Sequence, residues 1–400
     1  MTGKRIAIVY DWLDKWGGVE RVLLTLHEMF PEAHWYTSYF DRKQAPWAKK
    51  ITGSFAHAQD DKIKTSFIQK LPGFIKKNRI LSLPFYPYAF ESFDLRDYDL
   101  VISVTSSFAK GIITKPGTKH ICYLLTPTRW LWGMSQEYFN YELRITNRNS
   151  SDISFIQKIK NTLAEPWFKS LREWDYVAAQ RPDKIISISN AVSKRCDKYY
   201  RRESEVIYPP FDREYWQGLK SEIRNPKYET NSKLKIRNSK EYYLVVSRLE
   251  PYKRVDLAVE FFNTRKDQLV IVGKGSQKSK LQKLAGKNIQ FLENLTDLEL
   301  ASLYTHAQAL IMPQEEDFGY AALEAQFFGC PVIAYSKGGA CETVEDGVTG
   351  VFFHKQEKAD LHHAFERFHT LAYNLKSNLT KEGDIFDKFS KERFKKLFLL

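Results

Sequence analysis

The sequence predicts an α/β protein of two domains, each a parallel sheet with crossover helices. Three observations predict it. Four hundred residues exceed what one compact core holds. Short apolar runs of strand length alternate with helical stretches in two separate series, one from residue 4 and one from residue 242. Between them, residues 216–240 turn polar and charged, as a linker or exposed insertion would. Two Rossmann-like domains are therefore expected, over residues 1–212 and 241–385, with residues 213–240 as linker or insertion and a basic amphipathic helix at about 386–400.

Composition narrows the class. A hydrophobic share of 43% supplies a full core. No apolar run approaches the ~20 residues of a membrane helix, and the opening residues lead straight into a strand without a signal-peptide pattern. A cytoplasmic location is expected, with peripheral attachment to a membrane as a further option. Cys122, Cys196, Cys330 and Cys341 are scattered and form no C-x-x-C, so a zinc site or disulfide framework is not expected. The net charge of +13 suits nucleic acid, an anionic membrane surface or phosphorylated substrates. No basic recognition helix or aromatic nucleic-acid motif stands out, which disfavours nucleic acid. Residues 62–79 interleave six Lys and Arg with Ile63, Phe67, Ile68, Leu71, Phe74 and Ile75. That composition fits an interfacial membrane segment, and equally a solvated basic face over a small core.

In the first domain, residues 4–10 read as a buried strand. Gly17 and Gly18 then open a helix with Val22, Leu23, Leu26 and Met29 on one face. A glycine pair there lets backbone amides face a phosphate, although many α/β turns carry such pairs for geometry alone. Asp97 and Asp99 form a D-x-D that precedes the strand at 99–104, at the wrong end of a sheet for a metal site. The strand at 121–125 runs into Thr126-Pro127-Thr128-Arg129-Trp130, where Arg129, Trp130 and Trp132 could shape a binding site or simply pack. An amphipathic helix at 155–180 follows. A strand at 184–189 and a short one at 206–210, stopped by two prolines, complete the series.

In the second domain, Arg248 and Lys253 lie in the loop after the strand at 242–246, where two cations suit a diphosphate. Gly273-Lys274-Gly275 lacks the third glycine of a dinucleotide fingerprint. The most informative stretch is QEEDFGYAALEAQFFGC at 314–330, between apolar strands at 310–313 and 331–335. It reads as strand, acidic loop, helix, strand, then a Lys337-Gly338-Gly339 turn, with Gly329 ending the helix. The loop falls at the carboxyl end of the sheet, where open α/β sheets bind ligands. The start of the helix, at Phe318, Gly319 and Tyr320, favours an anion, and Glu316 and Glu324 accept hydroxyl donors. Together these suit a nucleotide sugar, while a first turn enriched in acids is the plainer explanation.

E-x7-E (Glu316–Glu324), Gly329, Pro331-Val332-Ile333-Ala334, Gly338-Gly339 and Glu342 resemble the donor-site signature of the retaining glycosyltransferases of family 4, of the GT-B fold. The stretches TPTRW and PYKRVDLA are most similar to its O-antigen mannosyltransferase branch. The resemblance implies two Rossmann-like domains facing a cleft, with the last helix returning to the first domain. It implies that Glu316 meets the donor sugar hydroxyls as the catalytic residue, with Asp317 and Phe318 beside the sugar. Glu324 would meet the ribose. Gly17, Gly18, Arg248, Lys253, Gly319 and Tyr320 would bind the diphosphate, and Leu295 the base. Arg129 and Trp130 are the acceptor-site candidates. No metal or other cofactor is implied. The implied activity is transfer of a hexose, foremost mannose from GDP-mannose, to a lipid-linked or polysaccharide acceptor. Leu125 stands where the branch has a histidine, and His120, five residues back, faces the other side of the strand. A nucleotide-sugar 2-epimerase and a non-catalytic nucleotide-sugar binder are the alternatives.

Overall fold

The computed structural model describes residues 3–52, 62–79, 81–133, 153–223, 241–380 and 384–398. The chain divides into two compact units, Met1–Pro209 with Leu397–Leu400, and Pro210–Lys396. Each is built on one wholly parallel sheet.

The first sheet contains β1 (Ile6–Tyr10), β2 (His34–Thr37), β3 (Ile63–Thr65), β4 (Leu100–Thr105), β5 (Lys119–Leu124), β6 (Lys184–Ser187) and β7 (Glu205–Val206). Their order is β3-β2-β1-β4-β5-β6-β7. The second contains β8 (Tyr242–Val246), β9 (Gln268–Val272), β10 (Ile289–Leu292), β11 (Leu310–Met312), β12 (Val332–Tyr335) and β13 (Gly350–Phe353), ordered β10-β9-β8-β11-β12-β13. Both orders reverse once, between β1 and β4 and between β8 and β11. Loops diverge there at the carboxyl ends of the strands and leave room for a ligand. Helices cover both faces, so the central strands read as continuous apolar runs: all six residues of β4 are buried.

The first switch point is closed by Asp11. Its buried carboxylate accepts from Thr105 Oγ1 at 2.9 Å and from the backbone N–H groups of Ser106, Phe108 and Ala109 at 2.8–2.9 Å. A buried carboxylate is tolerated when it receives several donors. Beyond it, Lys110 and Asp175 form a fully buried pair at 2.6 Å, and Thr128, Trp132 and Tyr200 also donate to Asp175.

Three expectations need correction. The expected linker begins as a helix, Arg213–Ile223, and residues 224–240 lie outside the described residues. Its polarity is that of an exposed face: Trp216 is buried, with its ring parallel to Phe211 at 6.3 Å and edge-on to Phe328 at 5.7 Å. The strand expected at 206–210 shrinks to Glu205–Val206, because consecutive prolines cannot donate to a ladder. The terminal helix is shorter than expected. Asp384–Phe389 form a 3-10 turn, and the helix proper is Lys391–Phe398. An isolated bridge between Phe211 and Ser390 interrupts the two, and only Leu397–Leu400 fall in the first unit. Residues 62–79 supply β3 and two short helical turns, Phe67–Lys70 and Gly73–Lys76.

Candidate functional site

The second switch point carries the candidate site. After β8 the chain turns through a 3-10 helix, Pro251–Lys253, and after β11 it enters the loop holding Glu316. Lys253 Nζ lies 2.7 Å from both carboxylate oxygens of Glu316, and Gln314 Nε2 donates to Oε1 at 2.8 Å. The lysine side chain is 8% exposed and the glutamate 23%. Burial would lift the Glu316 carboxyl, but the Lys253 ammonium and the hydrogen bonds from Lys253 and Gln314 outweigh it and hold the group below its ordinary value.

Glycines fix this loop. Gly319 caps the helix Tyr320–Phe327 at φ +95°, in the left-handed region that favours glycine. Gly338, at φ +72°, forms a bridge with Glu316, and the Gly339 N–H donates to the Glu316 carbonyl at 2.8 Å. A Cβ on Gly338 would stand 2.2 Å from that carbonyl oxygen, and one on Gly339 would stand 2.3 Å from Phe318 Cα. The glycine pair therefore sets the backbone that aims Glu316.

A second pair of glycines holds Arg248. The Leu249 N–H donates to the Lys274 carbonyl at 2.7 Å, and a Cβ on Gly275 would stand 2.4 Å from the Leu249 carbonyl oxygen. Gly273-Lys274-Gly275 is thus a packing device for the cationic loop. Arg248 is exposed and donates to Tyr252 Oη, whose ring lies 5.1 Å from Lys253 Nζ. Arg248, Lys253 and Glu316 form one contiguous group.

The other expected donor-site residues are placed as follows. Glu324 is 7% exposed and accepts from Tyr304 Oη at 3.2 Å. The Phe318 ring is buried against Phe389 and Tyr320, so only its main chain is open to a ligand. Tyr320 Oη donates to the Pro210 carbonyl at 3.0 Å, which tethers the helix start and likewise leaves its backbone for an anion. Asp317 is half-buried in the same loop, and Leu295 is half-buried before the helix Asp297–His306. Gln314 and Tyr252 were not anticipated. Both lie within the motifs, but their spacing does not show that they hold Glu316 and Arg248.

In the first unit, Gly17 precedes the helix Gly18–Met29, and a Cβ there would meet Glu20 Oε2 at 3.2 Å. Glu20 is buried beneath this turn, receives Tyr10 Oη at 3.3 Å, and is pushed upward in pKa by burial. Arg129 and Trp130 begin the short helix Arg129–Trp132. Trp130 packs against Phe108 and Phe168 at 5.9 and 6.2 Å. Leu125 is buried. His120 is buried at the start of β5 beside Ser103 Oγ at 2.8 Å, and burial lowers its pKa to about 3. Asp97 and Asp99 engage the Arg5 side chain and backbone at the entry to β4. Among the described residues no cluster of His, Cys, Asp and Glu could hold a metal ion. Cys122, Cys196 and Cys330 are buried free thiols and Cys341 is an exposed one. No helix among the described residues is long and apolar enough to cross a membrane.

Residues 227–384 match the family model described as glycosyl transferases group 1. The chain is 28% identical over 224 residues to the uncharacterized glycosyltransferase MJ1178 of Methanocaldococcus jannaschii, covering 54% of this chain and 58% of that protein. It is 27% identical to the alpha-1,3/1,6-mannosyltransferase ALG2 of Dictyostelium discoideum, covering 53% and 59%. The matches thus span little more than half of these relatives. Among solved structures, Anabaena Alr3699/HepE in complex with UDP-glucose superposes over 98% of both chains with a TM-score of 0.64 at 16% identity. A glycosyltransferase from Rickettsia africae superposes over 99% of this chain and 97% of its own, with a TM-score of 0.59. These likenesses show the fold: two Rossmann-like domains of the GT-B type.

Proposed function

We propose that this protein is a retaining glycosyltransferase that moves a hexose from a nucleotide sugar to a lipid-linked or polysaccharide acceptor, with mannose from GDP-mannose as the first candidate. The observation that carries this reading is the contiguous Arg248, Lys253 and Glu316 group at the carboxyl end of the second sheet, beside a helix N-terminus. The match to glycosyl transferases group 1 supports it, as does the nucleotide sugar bound by the structural neighbour. The mannosyltransferase among the relatives and the PYKRVDLA wording favour mannose.

The chemistry follows from the groups present. Arg248, Lys253 and the backbone at Gly319 and Tyr320 are placed to hold the diphosphate and offset the charge that grows as the glycosidic C–O bond breaks. An acceptor hydroxyl attacks from the same face, a new C–O bond forms there, and its proton passes to the departing phosphate oxygen. Lys253 and Gln314 occupy three of the four lone-pair positions of the Glu316 carboxylate, so the remaining one, on Oε2, is left for a sugar hydroxyl. Glu324 receives the ribose, and Leu295 lies beside the base. Asp317 and the Phe318 backbone flank the sugar. By the resemblance, Gly17 and Gly18 would offer backbone amides to a phosphate, and Arg129 and Trp130 would serve the acceptor. The cations supply the leaving-group stabilisation, so the scheme calls for no metal.

Thermal-shift titration with GDP-mannose, UDP-glucose, UDP-galactose and ADP-glucose tests the donor. Stabilisation by one of them, with transfer to a membrane or polysaccharide extract abolished in Glu316→Ala, is the expected result. No stabilisation by any donor, or full turnover in Glu316→Ala, overturns it. Leu125 at the family's histidine position favours a second reading, a non-catalytic binder, which predicts stabilisation without hydrolysis or transfer.

A further inference from the structure

We propose that residues 67–79 and 81–88 of the first unit form a docking surface for an anionic membrane. From Lys62 to Phe90 the sequence contains six Lys and Arg and no Asp or Glu. Four large apolar side chains stand exposed in that span: Phe67 at 40%, Phe74 at 70%, Leu81 at 47% and Tyr88 at 68%. Lys70 and Lys77 are exposed among them, and Lys76 is half-buried. Protruding aromatic and aliphatic groups beside exposed basic ones are what the headgroup boundary of an anionic leaflet accommodates.

The surface is a fixed platform. Ile68, Leu83, Tyr86, Ala89 and Phe90 point into the core of the unit while the four exposed residues do not. Gln69 exchanges two hydrogen bonds with the Phe40 backbone, at 2.9 and 3.2 Å. Lys76 Nζ donates to the Gln69 carbonyl at 3.0 Å, and Ser82 Oγ to the Ile75 carbonyl at 2.7 Å. Such a platform presents its apolar groups without first having to fold.

Its position gives the docking a purpose. Phe67–Lys70 follow directly on β3, at the carboxyl end of the sheet where the Asp11-to-Gly18 loop also lies. Arg79 pairs with Asp14 of that loop at 2.7 Å and covers the Trp12 ring at 4.4 Å. A membrane held here brings a lipid-linked acceptor to the ligand-binding end of the unit. This last step rests on the proposed transferase reading; the docking itself does not. A second copy of the chain is the poorer occupant, because pairing this face with itself opposes like charges.

The test is co-sedimentation of the full chain with phosphatidylcholine vesicles and with mixed phosphatidylcholine–phosphatidylglycerol vesicles. Binding to the mixed vesicles only, weakened about tenfold as salt rises, is expected. Phe74→Ser with Tyr88→Ser, and Lys70→Glu with Lys77→Glu, should each lower partitioning about tenfold while leaving the melting temperature unchanged. Equal partitioning of the variants and the natural protein overturns the proposal. So does equal binding to neutral vesicles, or retention on homopolymeric RNA that survives the loss of Phe74 and Tyr88. Nucleotide-sugar titration of the natural protein separates the two readings: donor binding without vesicle binding sinks the docking alone.

Discussion

Lys253 Nζ stands 2.7 Å from both carboxylate oxygens of Glu316 and so joins the loop after β8 to the loop after β11 across the switch point of the second sheet. Each partner has a ligand role in the proposed reaction, and each supplies the other's counter-charge before a ligand arrives. The donor's phosphate and sugar hydroxyls therefore enter a site whose charges are already balanced.

Replacing Lys253 by Met should destabilise the second unit by about 2 kcal/mol, below the range for a fully buried pair because Glu316 stays partly exposed. The pH dependence should change sign. In the natural protein the folded Glu316 carboxyl is depressed, so the pair's contribution is complete above the ordinary carboxylate value of 4.5 and is lost as pH falls through the lower folded value. In the variant, burial without the ammonium raises the group, and acidification should narrow the difference between the two proteins. Urea midpoints across the acid range check both.

Arg248→Ala should behave differently. The side chain is exposed, so stability should stay within about 0.5 kcal/mol. Donor affinity should fall about 10- to 100-fold, the loss of a charge-assisted phosphate contact. Calorimetric titration with the donor that stabilises the natural protein reads it directly.

Gly339→Ala and Gly275→Ala each place a Cβ against backbone, 2.3 Å from Phe318 Cα and 2.4 Å from the Leu249 carbonyl oxygen. Each should cost about 2 kcal/mol or more and weaken donor binding, because the loops carrying Glu316 and Arg248 must shift. An unchanged melting temperature in either would show that the loop yields freely.

His120 gives a separate acid signature. Its folded pKa of about 3 lies below the ordinary 6.5, so the unfolded chain takes up the proton first. Stability from this residue is complete above pH 6.5 and declines by about 1.4 kcal/mol per pH unit toward pH 3. His120→Gln should flatten that slope relative to the natural protein.

Asp11→Ala leaves three backbone N–H groups and the Thr105 hydroxyl without their acceptor inside the first unit. A loss of about 4 kcal/mol is expected, read as a lowered melting transition.

The two series of strands and the loop carrying Glu316 were legible because buried parallel strands are apolar throughout and their boundaries fall at Gly and Pro. Trp216 shows the limit: one buried ring converts a polar stretch into a packed helix, and nothing in its neighbours' polarity reveals that. Gln314 shows another, since a side chain's partner depends on where two loops meet, not on its own segment.

By itself, the chain's order of residues determined most of the strand segments (though not β2, β3 or β13), where the ligand-binding loops fall, and that cations and glutamates gather after β8 and β11. Only the tertiary structure decided that Lys253 is bound to Glu316, that Gly338 and Gly339 press on the Glu316 loop, and that the Phe318 and Tyr320 side chains serve packing. Alternation and turn chemistry are local and act over a few residues. Hydrogen bonds and close backbone approach across a switch point join residues some sixty positions apart, 63 for Lys253 and Glu316, and exist only once the sheet has fixed the distance between them.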